Sequence, residues 1–385
     1  MNKKNICVIS VISDVYTDQR VLRTASVFAE LNYEVYIIGR KTKSFNESFK
    51  TNHYSFKITH IFPLFYKGFW MYIFFNLFLF FKLLRFIFNQ RKNNIVLWSN
   101  DLDTLLPNFI LSKIFRLKLI YDSHELFTEV PELQNRKFKK SIWEWLEKKL
   151  IPDLPFAITV NESIANWYQK KYKIPFYVIR NISEPFQIEN IKNRTELDLP
   201  ANKKIIVLQG TGINIHRGAE ELVQSMQYMN DNYLLLIIGS GDVMPALIQM
   251  TDELNLNDRI IFKNRMPANE LYHYTCNSDL GISIDKPNNL NYLYSLPNKI
   301  FSYINAHIPI LSSRLPEIEK IITTYNIGMF IENHQPQHIA EQIRNALNHP
   351  SYQQWKENTS KASQELNWKV EKEKLKNIIQ QHINH

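Results

Sequence analysis

The chain has 385 residues, of which 45% are hydrophobic and 22% charged, with no fixed-period repeat and no polar low-complexity tract. That composition excludes a disordered or fibrous protein, and the length suits two α/β domains of roughly 180 residues each better than one. The net charge of +9 favours anionic partners such as nucleotide phosphates or an acidic lipid surface; the absence of a clustered basic-aromatic module argues against nucleic acid.

The N-terminal run from Asn5 to Val11 is too short for a signal-peptide core and is broken by Ser10. It reads as a first buried strand. SDVYTDQRVLRTA follows, at the place where α/β folds bind ligands, and lacks the glycines of a dinucleotide fingerprint, so an NAD site is not expected. Asp18 is a cap for the helix that follows, and Arg20 and Arg23 are placed to reach into the crevice at the sheet's edge. EVYIIG and KITHIF are the next strands.

From Gly68 to Phe88 the chain carries eight phenylalanines with a tryptophan and a tyrosine, but its uncharged stretch covers only 14 residues before Lys82 and Arg85. About 20 are needed to span a bilayer, so an interfacial helix is expected, with Lys67, Lys82, Arg85, Arg91 and Lys92 meeting anionic headgroups. The bland alternative is a buried helix of the first domain.

Strand NIVLW leads into SNDLDTLL, where Asp101 and Asp103 have an Asp-any-Asp spacing seen at metal sites. Because they open a helix, capping explains them better, and no metal is expected. After strand KLIYD, His124 stands at a carboxyl edge of the sheet with Asp122, Glu125 and Glu129 close in sequence. A histidine in that company can hydrogen-bond a sugar hydroxyl or phosphate with a tuned pKa. The alternation continues through FAITV and FYVIR, then is interrupted by the polar segment 184–203. Strands alternating with helices on both sides of that linker give a doubly wound parallel sheet in each half.

In the second half, QGTGINIHRG runs from strand to helix. Gly210, Gly212 and Gly218 permit close backbone approach, Arg217 supplies charge and the helix start adds amide donors, which together are the parts of a diphosphate cradle. Gly239 and Gly241 form a second glycine loop. In LNYLYSLPNKIFSYINAHIPILSS, Pro297 sits where a helix begins, so Asn298 and Lys299 are expected to converge on phosphates and ribose. The two cysteines, Cys7 and Cys276, do not suggest a disulfide framework.

In this order and spacing, SDVYTDQRVLRTA, DSHE, VIRN, QGTGINIHRG, LLIIGSGD and SLPNKIFSYINAHIPILSS resemble the retaining glycosyltransferases of family 4, over nearly the whole chain. The resemblance implies the GT-B fold, with two Rossmann-like domains facing a cleft: an acceptor domain over residues 1–185, a nucleotide-sugar domain over 186–365, and a C-terminal helix over 366–385 packing back on the first. It implies metal-independent transfer with retention, without a cofactor beyond the nucleotide-diphosphate sugar. His124, Arg217 and Lys299 would be catalytic. Gly210, Thr211, Gly212, Gly218, Gly239, Gly241, Met266, Tyr294, Ser295, Leu296, Pro297, Asn298 and Ser302 would line the donor site. Asp18, Arg20, Arg23, Glu125 and Glu129 would face the acceptor.

Two features depart from the family. Its paired glutamates, with seven residues between them, stand here as Tyr294 and Ser302, and an arginine after the QG strand stands as Thr211. The expected activity is transfer to a lipid-linked or polysaccharide-precursor acceptor at the inner face of the plasma membrane. A sugar-nucleotide epimerase of the same fold and a non-catalytic binding subunit remain as alternatives.

Overall fold

The computed structural model describes residues 3–16, 18–40, 56–62, 64–65, 68–134, 136–184 and 188–383. Lys67 and the expected domain boundary at 185/186 lie outside them. The described chain divides into two units, Met1–Asn181 with Glu371–His385, and Ile182–Val370.

The first unit is built on a parallel sheet of seven strands. They are β1 (Asn5–Ser10), β2 (Glu34–Arg40), β3 (Lys57–Ile61), β4 (Asn94–Asn100), β5 (Lys118–Ser123), β6 (Ala157–Thr159) and β7 (Phe176–Val178), in the order β3-β2-β1-β4-β5-β6-β7. Buried runs such as Ile6–Ile9 and Ile95–Trp98 show why these segments form inner strands: both faces are covered, so the sequence is continuously apolar rather than alternating. The order reverses direction between β1 and β4. Their carboxyl ends are therefore the place where a doubly wound sheet opens a crevice.

The helix Phe69–Asn89 joins β3 to β4 and buries Met71, Phe75, Leu79, Leu83 and Ile87, one residue per turn. It is 21 residues long and, by length and composition, apolar enough to cross a membrane. The five buried side chains fix that one face against the unit, leaving Trp70, Phe78 and Phe81 exposed on the others.

The last helix, Trp368–Ile383, enters this unit from Glu371 onward. The buried Glu371 carboxylate accepts from the Arg180 amide at 2.9 Å, Lys372 pairs with Glu30 at 3.1 Å, and Lys118 Nζ donates to the Ile383 carbonyl at 2.6 Å. Residues from the very end of the sequence thus close the sheet of the first unit.

The second unit repeats the plan with six parallel strands: β8 (Lys204–Gly210), β9 (Tyr233–Gly239), β10 (Ile260–Asn264), β11 (Leu280–Ser283), β12 (Ile310–Ser313) and β13 (Gly328–Ile331), ordered β10-β9-β8-β11-β12-β13. One apolar layer, including Leu222, Leu247 and Ile343, covers one side, and a second, including Ile300, Ile304 and Ile318, covers the other. Here the switch point lies between β8 and β11. Cys7 is buried in β1 and Cys276 ends the helix Ala268–Cys276; both are free thiols.

Candidate functional site

In the first unit the polar groups gather at the carboxyl ends of β4 and β5. Asp122 ends up fully buried, and its carboxylate takes both Nε and Nη2 of Arg20, at 3.0 and 2.6 Å. That paired geometry is the strong, bidentate form of an arginine-carboxylate bond. Arg20 also donates to the Ile179 carbonyl at 2.8 Å. Burial opposes ionisation of Asp122, but Arg20 and His124 outweigh it and hold its pKa down at about 2.

His124 stands beside this pair. Its Nδ1 is 3.2 Å from Asp101 Oδ2, its Nε2 is 3.7 Å from Asp122 Oδ2 and 3.2 Å from Asn100 Oδ1, and its amide donates to Asp101 Oδ1 at 2.8 Å. Burial alone would discharge the imidazole. The Asp101 charge and the Asp122 contact reverse that and raise its pKa to about 9, so the ring is a cation at neutral pH. Asp101 reaches this position through a positive-φ backbone, φ 54° with ψ 168°, a conformation that side-chain-bearing residues rarely adopt. Asp103, two residues on, is buried, and desolvation pushes its carboxyl well up.

Several expected acceptor residues have other engagements. Arg20 is buried in its ion pair with Asp122. Glu129 is paired with Lys140, whose Nζ lies 2.9 Å from it. Arg23 bonds back to the Gln19 carbonyl at 2.9 Å in its own helix. Asp18 caps that helix through the Val21 amide and accepts from Ser13 Oγ at 2.5 Å. Glu125 contributes its backbone carbonyl to Ser123 Oγ at 2.7 Å.

In the second unit two glycine loops interlock. Gly239 has φ 143°, and a Cβ there would lie 1.7 Å from the Gly210 carbonyl oxygen, so the ends of β8 and β9 can touch only as glycines. The Ser240 amide donates to that carbonyl at 3.1 Å, and Ile213 donates to Ser240 at 3.0 Å. Asp242 completes the latch, accepting from the Ile215 amide at 3.1 Å while its own amide donates to Asn214 Oδ1 at 3.2 Å. Gly218, at φ 75°, lets the next helix start against Ile284, where a Cβ would stand 2.3 Å from the carbonyl oxygen.

The loop latched in this way delivers Arg217 to the carboxyl end of β11. Arg217 Nη1 donates to Asp285 Oδ2 at 3.1 Å, and its guanidinium lies 4.4 Å from the Tyr292 ring centroid. Lys299, from the first turn of the helix Asn298–Asn305, reaches the other oxygen of the same carboxylate at 3.5 Å. Asp285 is fully buried, and Arg217 Nε has no hydrogen-bond partner among the described residues. Burial pushes the Lys299 ammonium below its ordinary pKa against the pull of Asp285. Two cations therefore share one carboxylate and retain donor capacity. Such a group suits an anion bearing more than one charge.

Pro297 is the N-cap of that helix, as its position in SLPNK suggests, and Asn298 is exposed beside it. Asn289 caps the short preceding helix through the Tyr292 amide at 2.8 Å, and Ser295 Oγ donates to the Tyr292 carbonyl at 2.8 Å. Ser302 Oγ donates to the Asn298 carbonyl at 3.3 Å. Thr211 is exposed and Gly212 and Tyr294 are half-buried. Met266 and Leu296 pack partly into the apolar layer under the site. Sequence reasoning passed over Asp285 and Tyr292, and weighed Asp101 only for metal binding and capping.

Residues 189–362 match the family model for glycosyl transferases group 1. The second unit is a group 1 glycosyl transferase domain. Among curated proteins, the chain is 22% identical over 293 residues to the chitobiosyldiphosphodolichol beta-mannosyltransferase of Debaryomyces hansenii, covering 68% of this chain and 61% of that one. The chain thus spans about three fifths of that relative's length. Among solved structures it is similar to sucrose-phosphate synthase from Thermosynechococcus elongatus, with TM-score 0.81 at 14% identity, covering 98% of this chain and 99% of that chain. It is likewise similar to the Anabaena protein HepE in complex with UDP, with TM-score 0.74 at 12% identity, covering 98% and 100% of the two chains. The two doubly wound units are the pair of Rossmann-like domains that the GT-B class implies.

Proposed function

We propose that this chain is a glycosyltransferase that moves a sugar from a nucleoside-diphosphate donor, held by the second unit, to a lipid-linked or polysaccharide-precursor acceptor, with retention and without a metal. The observation that carries the reading is the convergence of Arg217 and Lys299 on the single buried carboxylate of Asp285 at the switch point of the second sheet. Breaking the bond to the anomeric carbon delivers negative charge to the departing diphosphate. Preorganised cations beside that group stabilise the transition state without reorganising water. The UDP in the HepE complex and the lipid-diphosphate named in the yeast relative are the chemistry to which this reading assigns donor and acceptor.

In this reading the Gly210, Thr211, Gly212 and Gly218 loop, with Gly239 and Gly241, supplies amides to the phosphates, and Asn298, Ser295, Tyr294 and Ser302 face ribose and sugar hydroxyls. The cationic His124 is assigned to a sugar hydroxyl or phosphate of the ligand held by the first unit. The exposed aromatics of Phe69–Asn89 rest in the interface of the plasma membrane's inner leaflet, with Lys82, Arg85, Arg91 and Lys92 on headgroups.

The test is a panel of nucleotide sugars incubated with the full chain, with and without extracted lipid-linked acceptors. Acceptor-dependent release of nucleoside diphosphate with formation of a glycosylated lipid supports transfer. Conversion of donor without acceptor would assign an epimerase or hydrolase instead.

A further inference from the structure

We propose that the helix Lys137–Leu150 is a second membrane-docking element, inserting Phe138 and Trp145 into an anionic bilayer; the proposal rests on, and extends, the membrane-facing reading above. The helix buries Trp143, Leu146, Glu147 and Leu150. Glu147 fixes its rotation: the buried carboxylate accepts from Tyr172 Oη at 2.6 Å and Tyr168 Oη at 3.2 Å, and pairs with Lys171 at 3.0 Å. With that face locked inward, Phe138 is 76% exposed and Trp145 59% exposed. Seven residues separate them, which is two helical turns, so both lie on one outward stripe, with Lys148 and Lys149 in the next turn.

This stripe continues an apolar surface from neighbouring elements. The crossovers β3 to β4, β4 to β5 and β5 to β6 all run in one direction across the sheet, so by their common right hand the helices Phe69–Asn89, Leu102–Phe115 and Lys137–Leu150 lie on the same face. They are in contact: Tyr72 meets Trp143 at 5.3 Å between ring centroids, and Phe88 meets Phe115 at 5.4 Å. Trp70, Phe78 and Phe81 on the first helix, Ile110 and Ile114 on the second, and Phe138 and Trp145 on the third are all exposed on the helices of that face. An apolar surface of that extent marks an interaction site.

Charge selects the occupant. The helix Lys137–Leu150 carries five lysines against two glutamates, one of which is the buried Glu147. A second copy would oppose lysine to lysine, whereas an anionic leaflet complements them while the aromatics enter the acyl boundary.

The experiment is flotation of the full chain with phosphatidylcholine vesicles, with or without phosphatidylglycerol. It compares the wild type with the double variant Phe138→Ser, Trp145→Ser and the triple variant Trp70→Ser, Phe78→Ser, Phe81→Ser. Circular dichroism and stabilisation by nucleoside diphosphate report that each variant is folded. The wild type is expected to float with phosphatidylglycerol vesicles, and the double variant to partition about tenfold more weakly or worse while remaining folded. Equal flotation of the double variant and wild type, with loss only in the triple variant, overturns the second element and leaves the first helix as the anchor. Failure of the wild type to float overturns both membrane assignments, while transfer to a solubilised acceptor would still stand. A wild-type dimer lost in the double variant would make the surface a self-interface and overturn the lipid assignment.

Discussion

Arg217 donates to Asp285 at 3.1 Å although the carboxylate is fully buried, and Lys299 approaches the same group at 3.5 Å from the helix Asn298–Asn305. One negative charge thus organises two positive ones, and the pair is left short of an anion. Replacing Asp285 by Asn would leave two partly buried cations facing each other, which costs about 3 kcal/mol by analogy with broken buried ion pairs. The expected result is a chain that melts early in buffer and recovers part of that loss when nucleoside diphosphate is added, with a larger ligand-induced shift than the wild type shows. Thermal melts with and without ligand check both.

The glycine latch makes a separate prediction. Gly239→Ala would set a Cβ 1.7 Å from the Gly210 carbonyl in a backbone conformation that side chains rarely adopt. It should lower stability by about 3 kcal/mol and weaken nucleoside diphosphate binding by displacing the QGTG loop. Denaturant titration and calorimetry read the two effects. Full retention of ligand affinity would separate the latch from the donor site.

His124 should give the pH profile an alkaline limb. Its folded pKa, raised to about 9, lies above the ordinary imidazole value, so the stability it contributes is fully present below about pH 6.5 and is lost as pH rises through about 9. Asp122 works in the opposite sense. Its pKa is held at about 2, so its contribution is present above about pH 4 and is lost as pH falls through about 2. Asp101→Asn keeps the size and shape of the side chain but removes the charge, and should move the alkaline limb of both stability and activity to lower pH. An unchanged limb would show that another group titrates there.

Chelation should leave transfer intact. The reading assigns leaving-group stabilisation to Arg217 and Lys299, while Asp101 is engaged by His124 and Asp103 is buried with its carboxyl pKa raised. Activity in excess EDTA equal to that in magnesium is the expected outcome, and product anomers matching the donor by NMR would support retention.

Much of this arrangement was legible in the sequence because parallel sheets covered on both faces write themselves as short apolar runs between amphipathic helices. ICVIS, NIVLW, KIIVLQ and YLLLIIG are such runs, and the glycines of QGTGINIHRG and GSGD mark the donor loops directly. β13 was harder, since GMFI holds one β-branched residue and opens on glycine. Arg20 gave no sign of its partner, because position alone does not show that Asp122, 102 residues later, closes on it. Asp101 is 23 residues from His124, and it becomes a partner only through the β4–β5 register that sets Asn100 opposite Asp122. Asp285 sits in SIDKPNN, where an aspartate before proline and two asparagines resembles an ordinary turn residue; its role depends on two side chains brought in from elsewhere in the fold.

The most direct test of the central claim is thermal stabilisation of the full chain by a panel of nucleoside diphosphates and their sugars, alongside Arg217→Ala and Lys299→Ala. A ligand at about 100 times its Kd adds roughly 2.7 kcal/mol to the folded state. The account predicts a clear shift with one base, abolished in both variants. No shift with any nucleotide, or a shift that survives both substitutions, would contradict it.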